Sequence, residues 1–214
     1  MRQIRFAAVT AIVVSVAGLS MAASAPAAPS APYHESPSAA HVVASGQATL
    51  KDYVAWRDAR RKEASAQQGI LCYNAVAYAI QSVASSKYAT AELGYTGSRQ
   101  NMLRARATAV NVWEFYSFCF DDNYDYFYSI ANQRFVSVEI GYTGALKGML
   151  RARATVPDAW ERFVITCDST SSICNIKSAQ NQLYVSAELG YPGGDNGMLR
   201  ARATAVNLWE QFYI

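Results

Sequence analysis

The stretch ELGYTGSRQNMLRARATAVNVWE, residues 92–114, occurs in three near-identical copies along this chain of 214 residues. The second copy is EIGYTGALKGMLRARATVPDAWE at 139–161, and the third is ELGYPGGDNGMLRARATAVNLWE at 188–210. The copies begin 47 and then 49 residues apart. A regular period of this length indicates units that bury their apolar faces against one another.

Apolar and polar residues alternate within each copy. In the run YVSAEL of the third copy, one face carries Val185, Ala187 and Leu189, and the polar Ser186 and Glu188 lie between them. A period of two predicts a β-strand. The run MLRARAT alternates in the same way, and the Gly-Tyr-Thr/Pro-Gly segment between the two runs is typical of a turn. Each copy is therefore predicted to form a β-hairpin.

One further strand is predicted on each side of every hairpin. The preceding strands are YAIQSV, YFYSIA and NIKSAQ, and the following strands, WEFYSF, WERFVI and WEQFYI, begin at a Trp-Glu pair. Three such repeats are fewer than the roughly four to eight blades of a β-propeller, and they fit a β-trefoil with pseudo-threefold symmetry. The predicted all-β domain spans residues 70–214, with four-stranded repeats at about 71–118, 119–166 and 167–214.

The N-terminal part of the chain is predicted to direct export. The basic segment MRQIR precedes an apolar run of fourteen residues and then small residues, which predicts a signal peptide over 1–22, with an alternative end at residue 27. The apolar run is too short for an ordinary transmembrane helix, so no membrane span is expected. Residues 23–45 are rich in Ala, Pro and Ser, which predicts a flexible linker. His34 and His41 lie in this linker and are not expected to bind a metal.

A short helix is predicted within residues 46–69, over the sequence TLKDYVAWRDARRKEASAQQ that begins at Thr49. Leu50, Val54 and Trp56 supply a partial apolar stripe. The favoured interpretation is a solvated helix that packs on the trefoil through Trp56 and Leu50. The alternative is a pro-segment or a helix that docks a partner.

The repeated pattern Tyr/Phe-Val-Ser-Ala-Glu, Leu-Arg-Ala-Arg and Trp-Glu-x-Phe resembles that of the fascin-like β-trefoil family, and of the related ricin-type and bacterial glucan-binding trefoils. The resemblance covers about residues 71–214 and implies the trefoil fold. It implies less about function, because trefoils serve as actin bundlers, lectins, growth factors and protease inhibitors. The single trefoil and the export signal make actin bundling improbable. The Gln-x-Trp motif of ricin-type lectins is absent, so their sugar-binding residues are not carried over.

Four cysteines form an even count in a chain that is predicted to be secreted, where disulfides persist. The sequence alone allows three pairings. In a trefoil, Cys72 precedes the first strand of the first repeat and Cys119 follows its fourth strand, and these neighbouring antiparallel strands bring the two residues together. We therefore predict the disulfides Cys72–Cys119 and Cys167–Cys174, the second of which closes a short link. The spacing does not suit a zinc site.

Charge is balanced in the predicted trefoil, which holds twelve basic and twelve acidic residues. Nucleic acid is not an expected partner, because its binding needs a clustered excess of cations. The Arg-x-Arg of each repeat could form an anion site, for a sulfated glycan for example. The favoured alternative is cross-strand ion pairing with a glutamate that precedes each turn. We call these residues the hairpin glutamates: Glu92, Glu139 and Glu188.

Catalytic chemistry is not expected in this chain. The predicted trefoil contains no histidine, which removes the usual serine and cysteine triads. A glycosidase needs two carboxylates in different environments, whereas the glutamates here repeat with the symmetry of the fold. The acidic segment DDNYD at 121–125 lacks the full EF-hand pattern, so we predict a solvated turn there and not a Ca²⁺ site. No cofactor is expected.

Candidate ligand-binding residues recur in each repeat, because aromatic rings beside carboxylates suit the apolar faces and hydroxyls of neutral sugars. The turn tyrosines, predicted to be exposed, are Tyr95, Tyr142 and Tyr191. The Trp-Glu pairs are Trp113–Glu114, Trp160–Glu161 and Trp209–Glu210. For these pairs a structural role is favoured over sugar binding, with the tryptophans in the core and the glutamates accepting backbone N–H bonds at loop ends.

The leading functional hypothesis is a secreted, non-enzymatic module that binds a neutral glycan or cell-wall polysaccharide, with up to one site in each repeat. Repeated weak sites on one rigid module would gain avidity on a polymer. The alternative is a protein-binding trefoil, such as an inhibitor of an exported enzyme or a surface interaction factor. An inhibitor is expected to use one distinctive loop, and the repeats differ most at SRQN, ALKG, GDNG and DDNYD.

Overall fold

The computed structural model describes residues 54, 57–61, 69–72, 77–168 and 170–214. Fourteen strands lie within these residues. They are β1 Leu71–Cys72, β2 Tyr78–Ala79, β3 Gln81–Ser82, β4 Lys87–Glu92, β5 Met102–Ala107, β6 Phe115–Phe120, β7 Asp125–Ser129, β8 Arg134–Glu139, β9 Met149–Ala154, β10 Phe163–Cys167, β11 Ile173–Ser178, β12 Tyr184–Glu188, β13 Met198–Ala203 and β14 Phe212–Tyr213.

Six short 3₁₀ turns accompany the strands, two for each copy of the repeated stretch. Three lie at the tips of hairpins and three precede the strands that follow them. The tip turns are Gly97–Arg99, Gly144–Leu146 and Gly193–Asp195, and the turns after the hairpins are Val112–Glu114, Ala159–Glu161 and Leu208–Glu210.

All strand pairings are antiparallel, and part of the sheet closes on itself. Going round this barrel, β6 pairs with β7, β7 with β10, β10 with β11, β11 with β14, and β14 with β3. The ring closes because β2, which a single residue separates from β3, pairs with β6. The prediction of an all-β barrel domain is therefore confirmed.

The hairpins β4–β5, β8–β9 and β12–β13 form a cap beside this barrel. Each hairpin has one register shift at the start of its first strand, at the same position of the repeated sequence. The second strands of the three hairpins also pair with one another. The facing residues are Met198 and Arg104, Arg200 and Met149, and Met102 and Arg151. The three copies are therefore interlocked through their Met-Leu-Arg-Ala-Arg strands.

The inward face of each hairpin lines the main hydrophobic core. Leu103, Leu150 and Leu199 are buried at equivalent positions, as predicted. They join aromatic side chains of the barrel strands, including Phe118 and Phe127, whose rings meet edge to face with their centroids 5.0 Å apart. One core thus serves both the barrel and the cap.

The strands after the hairpins begin later than the sequence predicted. Trp113, Trp160 and Trp209 were expected at the start of these strands, but each lies in a 3₁₀ turn. The turn begins with a capping box, in which the side chain of Asn111, Asp158 or Asn207 accepts a hydrogen bond from the backbone N–H three residues later. The carboxylate of that later residue, a glutamate, accepts a hydrogen bond from the backbone N–H of the Asn or Asp. This exchange satisfies the backbone groups of a tight turn and delays the strand.

Both predicted disulfides are present in the structure: Cys72–Cys119 and Cys167–Cys174. Cys119 lies within β6 and not after it, because β6 extends to Phe120 and pairs there with β1. Cys167 and Cys174 face each other across the β10–β11 hairpin. Each bridge therefore joins residues that are already partners in an antiparallel ladder.

Residues 54 and 57–61 are helical, and Val54 packs against the main core. The remaining predictions for the N-terminal part fall outside the described residues: the signal peptide, the linker, His34, His41, and the contacts of Leu50 and Trp56. Within the part of the chain that the structure describes, none of the helical segments has the length and apolar character of a membrane span.

The acidic segment at 121–125 is only partly the solvated turn that was predicted. Asp121 does organise a turn, because its carboxylate accepts the backbone N–H groups of Asn123 and Tyr124 at 2.9 and 2.8 Å. Asp125, however, is fully buried on β7. Its carboxylate accepts two bonds from Arg57, at 3.0 and 3.1 Å, so a solvated role was the wrong prediction for this residue.

Candidate functional site

Each hairpin carries one glutamate between two arginines on the facing strand. Glu92 lies 3.6 Å from Arg104 and accepts a hydrogen bond from Nε of Arg106. The other hairpins repeat this arrangement with the pairs Glu139–Arg151, Glu139–Arg153, Glu188–Arg200 and Glu188–Arg202. Cross-strand ion pairing is therefore what these residues do, as favoured from the sequence. We call Arg104, Arg151 and Arg200 the inner arginines, and Arg106, Arg153 and Arg202 the outer arginines.

The turn tyrosines are half-buried and are not free platforms. Their rings pack against a cluster of three fully buried residues, which we call the cap methionines: Met102, Met149 and Met198. Their hydroxyls accept hydrogen bonds from the inner arginines, at 2.5 Å for Arg104 to Tyr95 and 2.8 Å for Arg151 to Tyr142, and in the third repeat from Arg200 to Tyr191. The ring and the hydroxyl of each tyrosine are therefore engaged in holding the cap.

The inner arginines also join one hairpin to the next. Nε of Arg104 donates to the carbonyl of Asn196 at 2.6 Å, Arg151 donates to Gln100 at 2.7 Å, and Arg200 donates to Lys147 at 2.9 Å. Each hairpin is therefore hydrogen-bonded to the tip of a neighbouring hairpin, and the three bonds form a closed cycle. This role requires the fixed planar donor set of arginine.

The glutamates of the Trp-Glu pairs are buried, and we call them the capping glutamates: Glu114, Glu161 and Glu210. One carboxylate oxygen of Glu114 accepts the hydroxyl of Thr90 at 2.7 Å, and the other accepts the N–H of Asn111 at 2.9 Å. Glu161 and Glu210 use serine hydroxyls in the same way, from Ser137 and Ser186. The predicted role at loop ends is confirmed.

The tryptophans of the same pairs point outward. Trp113 is 49% exposed, Trp160 is 37% exposed and Trp209 is 50% exposed, so the prediction that they fill the core was wrong. In a 3₁₀ turn neighbouring side chains point in directions about 120° apart. Because the capping glutamate must turn inward to complete its backbone bonds, the adjacent tryptophan is directed towards solvent. The three are called the exposed tryptophans below.

The repeated pattern places four charged residues in each repeat, two of each sign. Every repeat contributes an inner arginine, an outer arginine, a hairpin glutamate and a capping glutamate. Both glutamates are buried, whereas the outer arginine keeps between 39% and 52% of its side chain exposed. The surface of each repeat therefore presents an indole and a partly exposed guanidinium, above carboxylates that are already bonded.

Two ion pairs outside the repeated pattern were not anticipated from the sequence. Arg99 makes a bidentate pair with Asp195, with both distances 2.6 Å, and so joins the tips of the first and third hairpins. This contact holds the pKa of Asp195 below its usual value. The buried pair of Arg57 and Asp125 was also missed. Neither pair has a local sequence signal, since the partners lie 96 and 68 residues apart.

The geometry of the described residues does not indicate a metal centre. No cluster of three or more His, Cys, Asp or Glu side chains suited to a metal ion occurs among the residues that the structure describes. Asp121 uses one oxygen for its turn and the other to accept the hydroxyl of Tyr126 at 2.5 Å. The carboxylates of Asp121 and Asp125 are therefore occupied by protein donors.

Comparisons with known proteins concern the fold. No protein-family model matches the sequence, and no curated protein matches it. Among solved structures, the designed three-fold symmetric protein ThreeFoil aligns with a TM-score of 0.53 and 11% identity, over 64% of this chain and 96% of that chain. An exo-β-1,3-galactanase from Clostridium thermocellum, 1,3Gal43A, aligns with a TM-score of 0.53 and 10% identity, over 64% of this chain and 29% of that chain.

A ricin B-like lectin from Macrolepiota procera, solved in complex with lactose, aligns with a TM-score of 0.49 and 15% identity, over 64% of this chain and 92% of that chain. At such low identities the likeness to solved structures is a likeness of fold alone. Together with the closed barrel and its cap, the two alignments with a TM-score of 0.53 support a β-trefoil architecture.

Proposed function

We propose that this chain is a secreted, non-enzymatic glycan-binding module, which binds neutral polysaccharide through its exposed tryptophans. Its scaffold is a β-trefoil of three four-stranded repeats with pseudo-threefold symmetry, preceded by a short helix and similar to fascin-like and bacterial glucan-binding trefoils. One observation carries the proposal: an indole projects from the same rigid turn in each of the three repeats. A neutral sugar ring presents an apolar face that stacks on such a surface.

Rigidity of these turns favours binding. The capping glutamate beneath each indole is held by a hydroxyl and by a backbone N–H, at 2.7 and 2.9 Å in the first repeat. An aromatic platform that is fixed before binding loses little conformational entropy when a ligand settles on it. More than one platform on the same domain would add avidity on a repeating polymer.

Charge balance favours a neutral glycan over an acidic one. A sulfated or carboxylated sugar would need arginines with unused charge, but both arginines of each hairpin are already paired with its buried hairpin glutamate. The turn tyrosines are assigned to the scaffold and not to the binding surface, because the inner arginines and cap methionines hold them.

A binding role without catalysis agrees with the state of the carboxylates. The hairpin and capping glutamates are buried and bonded to structural partners in every repeat, unlike the acid and nucleophile that face the sugar in a glycosidase. Two disulfides favour an oxidising compartment. The galactanase that shares this fold contains it in less than a third of its chain, which is the proportion expected of an accessory module.

A panel of immobilised insoluble polysaccharides tests the proposal. We expect the purified chain to be retained by at least one of cellulose, chitin, β-1,3-glucan and β-1,3-galactan, and to release no sugar from it. Replacing all three exposed tryptophans by Ala should abolish retention with little loss of stability. The matched control replaces the three turn tyrosines by Phe and should keep retention. Retention of the tryptophan variant at the wild-type level would contradict the proposal.

A protein partner is the second candidate, and one observation favours it. The turn of the third repeat exposes Leu208 by 52%, where Val112 and Ala159 of the other repeats are partly buried. Val206 and Trp209 beside it are also exposed, so this turn groups three exposed apolar side chains, whereas the second repeat exposes Val156 and Trp160 and the first exposes Trp113. Replacing Leu208 by Ser should leave glycan retention intact and should weaken the complex with a protein partner.

A further inference from the structure

The three exposed tryptophans differ in solvent exposure, and this difference affects which of them can bind a sugar. Trp113 and Trp209 are 49% and 50% exposed, whereas Trp160 is 37% exposed. All three follow the same Arg-Ala-Arg-Ala-Thr strand and precede the same capping glutamate. The difference therefore arises from what covers the second indole.

The first group that covers the Trp160 ring is the outer arginine of its own repeat. The guanidinium carbon of Arg153 lies 5.6 Å from the centroid of the Trp160 ring, which is within the range of a cation–π contact. Nε of the same guanidinium lies 2.5 Å from the carboxylate of Glu139, so the ion pair holds the cation in place over the ring. No such stacking occurs on Trp113 or Trp209 within the described residues.

The second contact of Trp160 is with the hairpin turn. A Cβ placed on Gly141 would lie 3.9 Å from Cη2 of the indole, so this ring lies close above the turn backbone. The equivalent glycines of the other repeats, Gly94 and Gly190, have no atom within 4 Å of the same position. The second indole thus contacts an arginine and lies close to its hairpin turn, whereas neither contact is found for the other two indoles within the described residues.

The sequence offers a cause in the loop before the tryptophan. The second repeat reads Thr-Val-Pro-Asp-Ala-Trp, whereas the other two read Thr-Ala-Val-Asn-Val/Leu-Trp. Pro157 fixes its own φ and restricts the residue before it, so the chain enters this 3₁₀ turn under a constraint that the other repeats lack.

We infer that Arg153 closes the platform of the second repeat, so that glycan binds at Trp113 and Trp209 and the domain has two sites instead of three. This inference rests on the proposed function. A sugar ring at Trp160 would have to displace a guanidinium that is anchored to Glu139, whereas the faces of Trp113 and Trp209 need no such displacement. Arg153 is therefore the residue that sets the number of sites.

Accessibility of the indoles tests the closure without any glycan. Limited oxidation of the full chain by N-bromosuccinimide, followed by peptide mass mapping, gives a rate for each tryptophan. We expect Trp160 to react more slowly than Trp113 and Trp209. Arg153→Ala should raise the rate of Trp160 to that of the other two, and the matched Arg106→Ala should leave the rate of Trp113 unchanged. Equal rates in the wild-type chain would overturn the closure.

Stoichiometry then tests the binding consequence. Soluble β-1,3-glucan and β-1,3-galactan oligosaccharides are titrated calorimetrically into the wild-type chain, Arg153→Ala and Arg106→Ala. We expect two sites per chain in the wild type and in Arg106→Ala, and three in Arg153→Ala. Arg153→Lys, which keeps the charge beside Glu139 but lacks the planar group that stacks on the indole, should also gain the third site.

The outcomes separate the two proposals. Three sites in the wild type, or no gain in Arg153→Ala, overturns the closure while the glycan-binding function stands. If neither of these oligosaccharides nor any polysaccharide of the panel binds any variant, the proposed function falls, and the two-site count falls with it. The oxidation rates then still decide whether Arg153 covers Trp160.

Discussion

The buried ion pair of Arg57 and Asp125 allows a direct test of whether the helical residues 57–61 contribute to the stability of the trefoil. Asp125 is fully buried, and its carboxylate accepts two bonds from Arg57 and one from the N–H of Ile165 at 3.0 Å. Replacing Arg57 by Met keeps the apolar stem of the side chain and removes the charge. The carboxylate then stays in the barrel wall without its main cation.

The expected loss of stability follows from the burial. Breaking a fully buried ion pair by removing one partner costs about 3–5 kcal/mol. Arg61, 3.6 Å from the same carboxylate, offers partial compensation, so we expect a loss of about 3 kcal/mol. For a domain of this size, 1 kcal/mol lowers the melting temperature by about 2–4 °C, and the variant should therefore melt about 6–12 °C below the wild type.

Thermal unfolding followed by circular dichroism, with both disulfides intact, measures this difference. Ala59→Met, an exposed change on the same helical turn, is the control and should shift stability by less than about 0.5 kcal/mol. Adding Asp125→Leu to Arg57→Met should recover part of the loss, because it removes the uncompensated charge. If Arg57→Met melts like the control, the helix does not contribute to the stability of the trefoil.

The same variant should respond to pH in a defined direction. Burial raises the pKa of Asp125, and the opposing effects of Arg57, the Ile165 N–H and Arg61 do not fully offset it. Without Arg57 the folded state favours the protonated carboxyl more strongly. Stability is then retained below the unfolded pKa of about 3.9 and lost as pH rises through the higher folded pKa. The deficit of Arg57→Met relative to the wild type should therefore be larger at pH 8 than at pH 5.

Three further predictions concern the cap and its turns. Trp209→Ala should lower the free energy of unfolding by less than about 1.5 kcal/mol in a denaturant titration, whereas a core tryptophan would cost about 3–5 kcal/mol. Gly197→Ala should cost at least about 1–3 kcal/mol, because φ is +82° and a Cβ would lie 2.5 Å from the carbonyl oxygen of Ala105; Gly190→Ala, which meets no atom within 4 Å, should cost less than about 0.5 kcal/mol. Asp195→Asn should lower the free energy of unfolding at pH 7 by about 0.5–1 kcal/mol, which is the contribution of a partly exposed ion pair. Because the hydrogen bond from Arg99 lowers the pKa of Asp195, that contribution is present above the unfolded pKa of about 3.9 and is lost as pH falls through the lowered folded pKa. The difference between wild type and variant should therefore shrink as the pH falls below about 4, and a difference that does not change with pH would contradict the assignment.

Local and repeated features of the fold could be predicted from the sequence. Alternation with a period of two depends only on which residues face the core, and the three copies place Leu103, Leu150 and Leu199 on that face. The disulfide pairing could be predicted once the trefoil was inferred, because the order of strands brings Cys72 beside Cys119. Ion pairing in the hairpins also followed, since facing strands put the opposite charges together.

Only the tertiary structure decided how each Trp-Glu pair is oriented. Hydrophobicity predicts the tryptophan inside and the glutamate outside, and the structure has the reverse. The deciding partner of Glu114 is Thr90, 24 residues earlier on another strand, and this hydroxyl together with the capping box makes burial of the carboxylate favourable. A sequence pattern within the turn contains neither the hydroxyl nor its distance, so the outward direction of Trp113, on which the proposed binding surface depends, emerges only when the strands pack.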